Sequence, residues 1–327
     1  MMNDNFKKIV VAGGGILGSQ IAFQTAYCGF DVTILVRSED SKEAINTKLK
    51  KLYKTYIDTI EIMDTRAGKK GNNWARGISS LDKFNKRICV RKAESALKNI
   101  KIETSQEKVL SDVDLVIESI TEDINIKREF YEGISKLLPE KTVVVTNSST
   151  LLPSKMAKST GRPDRYLALH FANNIWKQNI AEVMKHANTS QETFDSIVKF
   201  AKQINMIPLE AREEKSGYLL NSLLVPFLLS AMDLLVNGIS DPETIDKAWT
   251  LGTGAPKGPF QILDVVGLET AKNIVLQYQK VPDIFDPLLK KMLLPYNFDG
   301  MLRILNQYID EGKLGKTTGE GFYKYDE

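Results

Sequence analysis

Cysteine and histidine are the scarce residues of this chain, which has two of each among 327 positions: Cys28 and Cys89, His170 and His186. Two thiols cannot build a disulfide framework or a cysteine zinc site, and such economy suits a reducing cytoplasm. Both read as buried thiols. An excess of one charge is also missing. The 44 basic residues face 41 acidic ones, a net charge of +3, which lacks the electrostatic footprint of a nucleic-acid binder. The most apolar stretch, Leu219 to Val236, is interrupted by Asn221, Ser222, Pro226, Ser230 and Asp233, which a bilayer would penalise. We read it as a buried helix. The N-terminus passes from Lys7-Lys8 straight into Ile9-Val10-Val11, without the apolar core and small-residue cleavage site of a secretion signal. Repeats and low-complexity tracts are absent too. The expectation is a cytoplasmic protein with neither a membrane nor a nucleic-acid partner.

What is present is a globular composition, 43% hydrophobic and 26% charged, with enough length for two cores. Ile9 to Ala12 reads as a strand, Gly13 to Gly18 as a glycine turn, Ile16 to Tyr27 as a helix closed by Gly29, and Asp31 to Arg37 as a second strand. Residues 38 to 105 are charged and mostly helical in pattern, broken near Gly68, Gly71 and Gly77, and predict a helical hairpin projecting from the sheet. Strands follow at Val113 to Glu118, Thr142 to Thr146, Tyr166 to Phe171, Ile180 to Met184 and Ile207 to Glu210, with helices near 125–138 and 192–204. Their alternation predicts an α/β Rossmann-type, mostly parallel sheet with an inserted helical hairpin. After the polar segment Ala211 to Lys215 the pattern turns helical, at 243–251, 268–279, 286–294 and 301–311, with Gly258-Pro259 and Pro282 marking loops. The domains are therefore read as 1–212, dinucleotide-binding, with the insert at about 41–105, and 213–327, an all-α C-terminal domain.

Gly13, Gly15 and Gly18 form Gly-x-Gly-x-x-Gly inside a strand-turn-helix-strand unit, the context that gives this motif meaning. Gly13 serves the tight turn, Gly15 lets the backbone approach a pyrophosphate, and Gly18 lets the helix pack closely on the strand. Gly14 adds flexibility. The helix start at Ile16-Leu17 offers amides and a positive dipole end to the phosphates. At the end of the second strand the usual acid for the ribose 2′-hydroxyl is replaced by Val36-Arg37-Ser38. A guanidinium there suits a 2′-phosphate, so NADP stays open beside NAD, although Glu39 and Asp40 follow and would repel a phosphate or serve the ribose.

Oxidising a secondary alcohol needs a base, a partner that orients it, and a donor to the substrate oxygen. His170 at a strand end, Glu182 twelve residues on and Ser149 in Asn147-Ser148-Ser149 supply these, so hydride transfer between an alcohol and a nicotinamide is the chemistry they suggest. His186, in Lys185-His186-Ala187-Asn188, reads as solvated surface. Glu122 and Lys127 near a helix start are equally explained as a surface pair or as part of the site. Lys48, Lys50, Lys51, Lys54, Lys69 and Lys70 make the hairpin basic, most simply as a solvated face.

Together these segments resemble the 3-hydroxyacyl-CoA dehydrogenase family over nearly the whole chain. The glycine motif, Val116 to Glu122 with Lys127, Asn147 to Leu151, His170-Phe171 with Asn173, and Glu182 fall in family order. So do Gly217-Tyr218-Leu219-Leu220-Asn221, Gly258-Pro259-Phe260 with Asp264, and Thr318 to Tyr325. The resemblance implies His170 as general base, Glu182 as its orienting partner, and Ser149 and Asn221 as hydrogen-bond partners of the substrate oxygen. It places Glu122, Lys127 and Asn173 near the nicotinamide ribose or substrate. It further implies an active site in an interdomain cleft, an acyl-CoA substrate, and a homodimer formed through the helical domain; the alternatives are the same chemistry on a small non-CoA hydroxy acid, as in branches resembling gulonate or carnitine dehydrogenases, or a non-catalytic nucleotide-binding protein. Departures are Ala172 and Asn174 in the His-Phe-Phe-Asn-Pro segment, Trp176 altering the wall beside the base, and Ser216, Ser222 and Thr317 at positions where the family usually has Pro, Arg and Lys.

Overall fold

A computed structural model describes residues 6–71, 74–279 and 296–325. They fall into two compact units, Met1–Leu219 and Leu220–Glu327. Among the described residues the first unit is built on an eight-stranded sheet. Its strands are β1 Lys8–Ala12, β2 Asp31–Leu35, β3 Lys101–Glu103, β4 Leu115–Glu118, β5 Val143–Thr146, β6 Tyr166–Phe171, β7 Ile180–Met184 and β8 Ile207–Ala211, in the order β3-β2-β1-β4-β5-β6-β7-β8. Pairing is parallel except between β6 and β7. The central strands β4, β5 and β6 are buried along their full length, which is why they read as continuous apolar runs rather than alternating ones. The chain order reverses between β1 and β4, so the carboxyl ends of these two strands frame the crevice where such sheets take ligands.

Helix α1 (Ile16–Tyr27) is covered by α2 (Ser41–Asp64) and α4 (Lys86–Asn99), with the short α3 (Arg66–Lys70) between them. On the other face, α5 (Gln106–Leu110) and α6 (Ile124–Ser135) supply Leu110, Tyr131 and Ile134 to a second apolar cluster with Val116, Val144 and Tyr166. The hairpin therefore does not project from the sheet. Ile45, Leu49, Tyr56, Ile60 and Met63 recur at helical spacing on α2 and are buried in the main core, a stripe masked in the sequence by the lysines on the opposite face. Tyr56 meets Phe23, Tyr27 and Trp176 at ring separations of 4.7, 5.4 and 5.7 Å. Its hydroxyl donates to the buried Gln24 Oε1 at 2.5 Å, while Gln24 Nε2 donates to the carbonyls of Gly77 and Ile204 at 2.8 and 2.9 Å. The insert also contains a strand absent from the sequence reading: β3 extends the sheet beside β2.

Helix α7 (Gln191–Gln203), capped by Ser190, completes the first unit. The second unit comprises α8 (Leu220–Val236), α9 (Pro242–Thr253), α10 (Pro259–Val266), α11 (Leu268–Tyr278) and α12 (Phe298–Asp310) among the described residues. The helix expected at 286–294 lies outside them. Helix α8 is not buried all round: Val225, Leu228, Leu229 and Met232 enter the core, whereas Leu223 is 75% exposed. The Gly258-Pro259 pair, read as loop punctuation, instead starts α10, with Pro259 in its first turn where a missing N–H costs nothing. Asp264 of α10 accepts from the Phe322 and Tyr323 amides at 2.8 and 2.9 Å and from the Tyr325 hydroxyl at 2.9 Å. A side chain at Gly321 would collide with that carboxylate, which explains the glycine before the aromatic run.

His186 is a correction. It is 4% exposed rather than solvated, because the turn after β7 folds back: Thr189 Oγ1 accepts from the His186 amide and donates to the Tyr166 carbonyl, at 3.1 and 2.7 Å. Burial holds the imidazole below its ordinary value of 6.5, with Glu214 opposing the shift. As pH falls past 6.5, then, the unfolded chain binds a proton before the folded one does. Stability contributed by neutral His186 is complete above that value and is lost as pH falls toward the lowered folded one. The loss of urea midpoint between about pH 7.5 and about pH 5.5 should therefore be smaller in His186→Gln than in the parent. Equal losses would show that other groups carry the acid sensitivity.

Candidate active site

The cofactor end grows out of β1. Gly13 follows it with φ 109, and a Cβ there would run into the Ser119 carbonyl beyond β4. A Cβ on Gly18 would strike the Gly13 carbonyl, whereas nothing lies within 4 Å of one on Gly15. Packing thus fixes the first and third glycines, and the middle one faces open space. Gly15 is the N-cap of α1 and no side chain caps that helix, so its first-turn amides remain for an anion, with Ile16 exposed, Leu17 half-buried and Gly14 half-buried beside them. Lys48 of α2 donates to the Gly14 carbonyl at 3.0 Å. This backbone fits a dinucleotide pyrophosphate. Arg37, just past β2, is exposed and makes no ion pair among the described residues. Glu39 instead accepts from Lys42 at 2.9 Å and Thr104 at 2.7 Å.

The proposed base is set by strand pairing. In the antiparallel β6–β7 register His170 lies opposite Glu182, so residues distant in sequence become cross-strand neighbours on one face. Glu182 Oε2 lies 2.8 Å from His170 Nδ1, and Ser149 Oγ lies 3.2 Å from Nε2. Both His170 and Glu182 are buried. The other carboxylate oxygen, Oε1, accepts from the Leu219 amide at 2.8 Å. That amide is aimed by successive left-handed residues, Gly217 at φ 81 and Tyr218 at φ 51, the latter costly for a non-glycine residue. The Tyr218 ring lies against the imidazole at 5.0 Å and 33°. Burial, and then nearby carboxylates led by Glu122, push its phenol well above the usual range, so it is neutral.

Ser149 is held from the other side. Glu122 Oε1 accepts from Ser148 Oγ at 2.5 Å and from the Ser149 amide, Thr150 amide and Thr150 Oγ1, each at 3.0 Å. Despite the desolvation that opposes ionisation, the Ser148 hydroxyl and the Lys127 charge hold the Glu122 carboxyl below the usual range. Lys127 lies 3.5 Å from Glu122 and 2.5 Å from Glu118. It is 1% exposed, which removes the surface-pair reading. Asn147 Oδ1 accepts from the Phe171 amide at 3.0 Å, and its Nδ2 donates to Ser119 Oγ at 3.3 Å, tying the ends of β4, β5 and β6 together.

The structure thus assembles His170, Glu182, Ser149, Glu122 and Lys127 in the first unit. Asn173 is exposed in the loop after β6, where Gln20 Oε1 accepts from the neighbouring Asn174 amide at 2.8 Å. Asn221 belongs to the second unit, in the first turn of α8. Trp176, expected to shape the wall beside the base, is committed to the core against Tyr56. Glu118 and Tyr218 were missed as parts of the site. A carboxylate ending an otherwise apolar buried strand was the available signal for Glu118; for Tyr218 it was the preceding glycine.

The family described as 3-hydroxyacyl-CoA dehydrogenase, NAD binding domain, matches residues 8–214, and its C-terminal domain matches residues 217–325. The mitochondrial hydroxyacyl-coenzyme A dehydrogenase of Homo sapiens is 34% identical over 323 residues, covering 98% of this chain and 91% of that protein. A Clostridioides difficile 3-hydroxybutyryl-CoA dehydrogenase is 31% identical, covering 97% and 99%. Among solved structures, a diketoreductase described as acting on dicarbonyl compounds is 42% identical with a TM-score of 0.80, covering 98% of this chain and 99% of that one.

Arg37 can be tested directly. If its guanidinium faces the cofactor ribose, Arg37→Asp will weaken NADPH binding relative to NADH by about tenfold or more in a fluorescence titration. An unchanged ratio would make Arg37 a surface residue.

Proposed function

This chain belongs to the 3-hydroxyacyl-CoA dehydrogenase family of NAD-dependent oxidoreductases, and from that premise we propose that it interconverts the 3-hydroxyl and 3-oxo groups of a short acyl-CoA, with His170 as general base. The observation that carries the reading is the Ser149–His170–Glu182 line, with Nδ1 on a carboxylate and Nε2 beside a hydroxyl. Glu182 holds the ring in the tautomer whose Nε2 accepts a proton, and stabilises the imidazolium once it has done so. In the oxidative direction the proton of the 3-hydroxyl passes to His170 Nε2 while Ser149 Oγ donates to the same oxygen. Bound NAD supplies the acceptor for the hydride leaving C3. The reverse direction returns the proton from His170 to the 3-oxo oxygen.

Glu122, Lys127 and Asn173 are assigned to the nicotinamide ribose or substrate. The glycine turn with Ile16, Leu17 and the Arg37 region is assigned to the rest of the dinucleotide. Asn221 as a second partner of the substrate oxygen rests on the family resemblance. A homodimer formed through the helical domain belongs to the same reading and is read out by sedimentation. No helix among the described residues is long and apolar enough to cross a membrane.

A second reading keeps the chemistry and drops the CoA. The 42% identity to a diketoreductase favours it, as do Ala172, Asn174 and Ser222 at positions where the acyl-CoA pattern has Phe, Pro and Arg. Acetoacetyl-CoA, free acetoacetate and a 3,5-dioxo ester, each followed with NADH and NADPH at the reduced-nicotinamide band, separate the two. Thioester turnover alone supports the first reading, and turnover of only the CoA-free substrates replaces it with the second. On whichever substrate turns over, His170→Gln should lower kcat by roughly 10²–10⁴-fold and leave NADH binding intact. Unchanged kcat would remove the proton-transfer role.

A further inference from the structure

The carboxylate of Glu118 ends β4 in the middle of the sheet and is 0% exposed. A buried charge is kept only where it is paired and its lone pairs are filled. Here they are filled from four directions. Lys127 Nζ lies 2.5 Å away, the Ile120 amide donates at 2.8 Å, Tyr131 OH at 2.6 Å and Thr146 Oγ1 at 2.8 Å. The Tyr131 phenol in turn accepts from Tyr166 at 3.2 Å. Burial, and then the Glu118 charge, hold both phenols far above their ordinary range, so they remain neutral donors.

Lys127 is therefore shared. It sits 2.5 Å from Glu118 and 3.5 Å from Glu122, and Glu122 is the acceptor for the whole 148–150 turn that presents Ser149 to His170. We propose that Glu118 is a positioning residue of the reaction: by holding Lys127 close, it sets how strongly Glu122 draws on the serine turn, and so fixes Ser149 against His170. Two carboxylates around one ammonium leave a net negative charge under the turn. If the inner carboxylate is neutralised, Lys127 turns wholly to Glu122, Glu122 releases part of its hold on the amides and hydroxyls of residues 148–150, and Ser149 loses register with the imidazole. Glu118 itself reaches neither Ser149 nor His170 through any described contact, which separates its role from theirs.

This inference rests on the proposed proton transfer at His170, and its test separates the two. Glu118→Gln conserves volume and removes the charge. It should lower kcat by about tenfold, and by less than about twofold in a Ser149→Ala background, because residues acting through one another are not additive. A purely structural role would give equal losses in both backgrounds, and that result, or full activity of the single variant, would overturn the proposal. Tyr131→Phe removes one donor from Glu118 and leaves every charge in place. It should show the same non-additivity at smaller amplitude, and supplies the test if Glu118→Gln does not unfold cooperatively. A readout independent of turnover comes from the imidazole: ¹⁵N spectra of Glu118→Gln should move the His170 resonances and lose the effect when Ser149 is absent. Unmoved His170 resonances would overturn the inference even if no substrate were turned over. A moved His170 without turnover by the parent enzyme would count against the proposed function alone.

Discussion

The site depends on one reversal of strand direction. Through β1, β2, β3, β4, β5 and β6 the sheet runs parallel, and side chains at the carboxyl edge come from strand ends separated by helical crossovers. Strand β7 enters antiparallel to β6, so His170 finds Glu182 directly opposite rather than one strand further along. The cross-strand pair is then locked from outside the sheet by the Leu219 amide on Glu182, which ties the end of the first unit to the orientation of the imidazole.

Around that pair the fold converts buried charge into position. Glu118, Lys127 and Glu122 form a line of alternating charge from the sheet interior to the serine turn, in surroundings where an unmatched group would be costly. Such networks are sensitive to every member. At the cofactor end the means are steric: Gly13 and Gly18 are fixed by what a Cβ would strike, and no side chain caps the helix start that follows them.

Much of this could be read from the residues in order. The glycine motif, the apolar runs of β4, β5 and β6, and the Ser149, His170 and Glu182 set were legible because each is a local pattern or a family motif. What escaped depended on contacts distant in sequence. The three-residue β3 is too short for a period to show, and its pairing with β2 is what makes it a strand. The apolar stripe of α2 was hidden by lysines on its other face. His186 looked polar from its neighbours, yet a turn closed by Thr189 buries it. Lys127 looked like a helix-start charge until Glu118, nine residues earlier, claimed it. Tyr218 enters the site through a left-handed backbone that no composition announces.

The Gln24 amide has a consequence for how the first unit comes apart. Its donors are taken by Gly77 in the insert and Ile204 after α7, and its acceptor by Tyr56 of α2. Peeling the hairpin away would strand these groups in an apolar interior, at about 1–3 kcal/mol for each unmet partner. The insert is therefore held to the same opening event as the sheet, and its inner amides should exchange with solvent only when the unit unfolds as a whole. A segment that reads in the sequence as an appendage is, in folding terms, part of the foundation: the closure joining residues 24, 77 and 204 spans most of the unit, a non-local contact of the kind that slows folding.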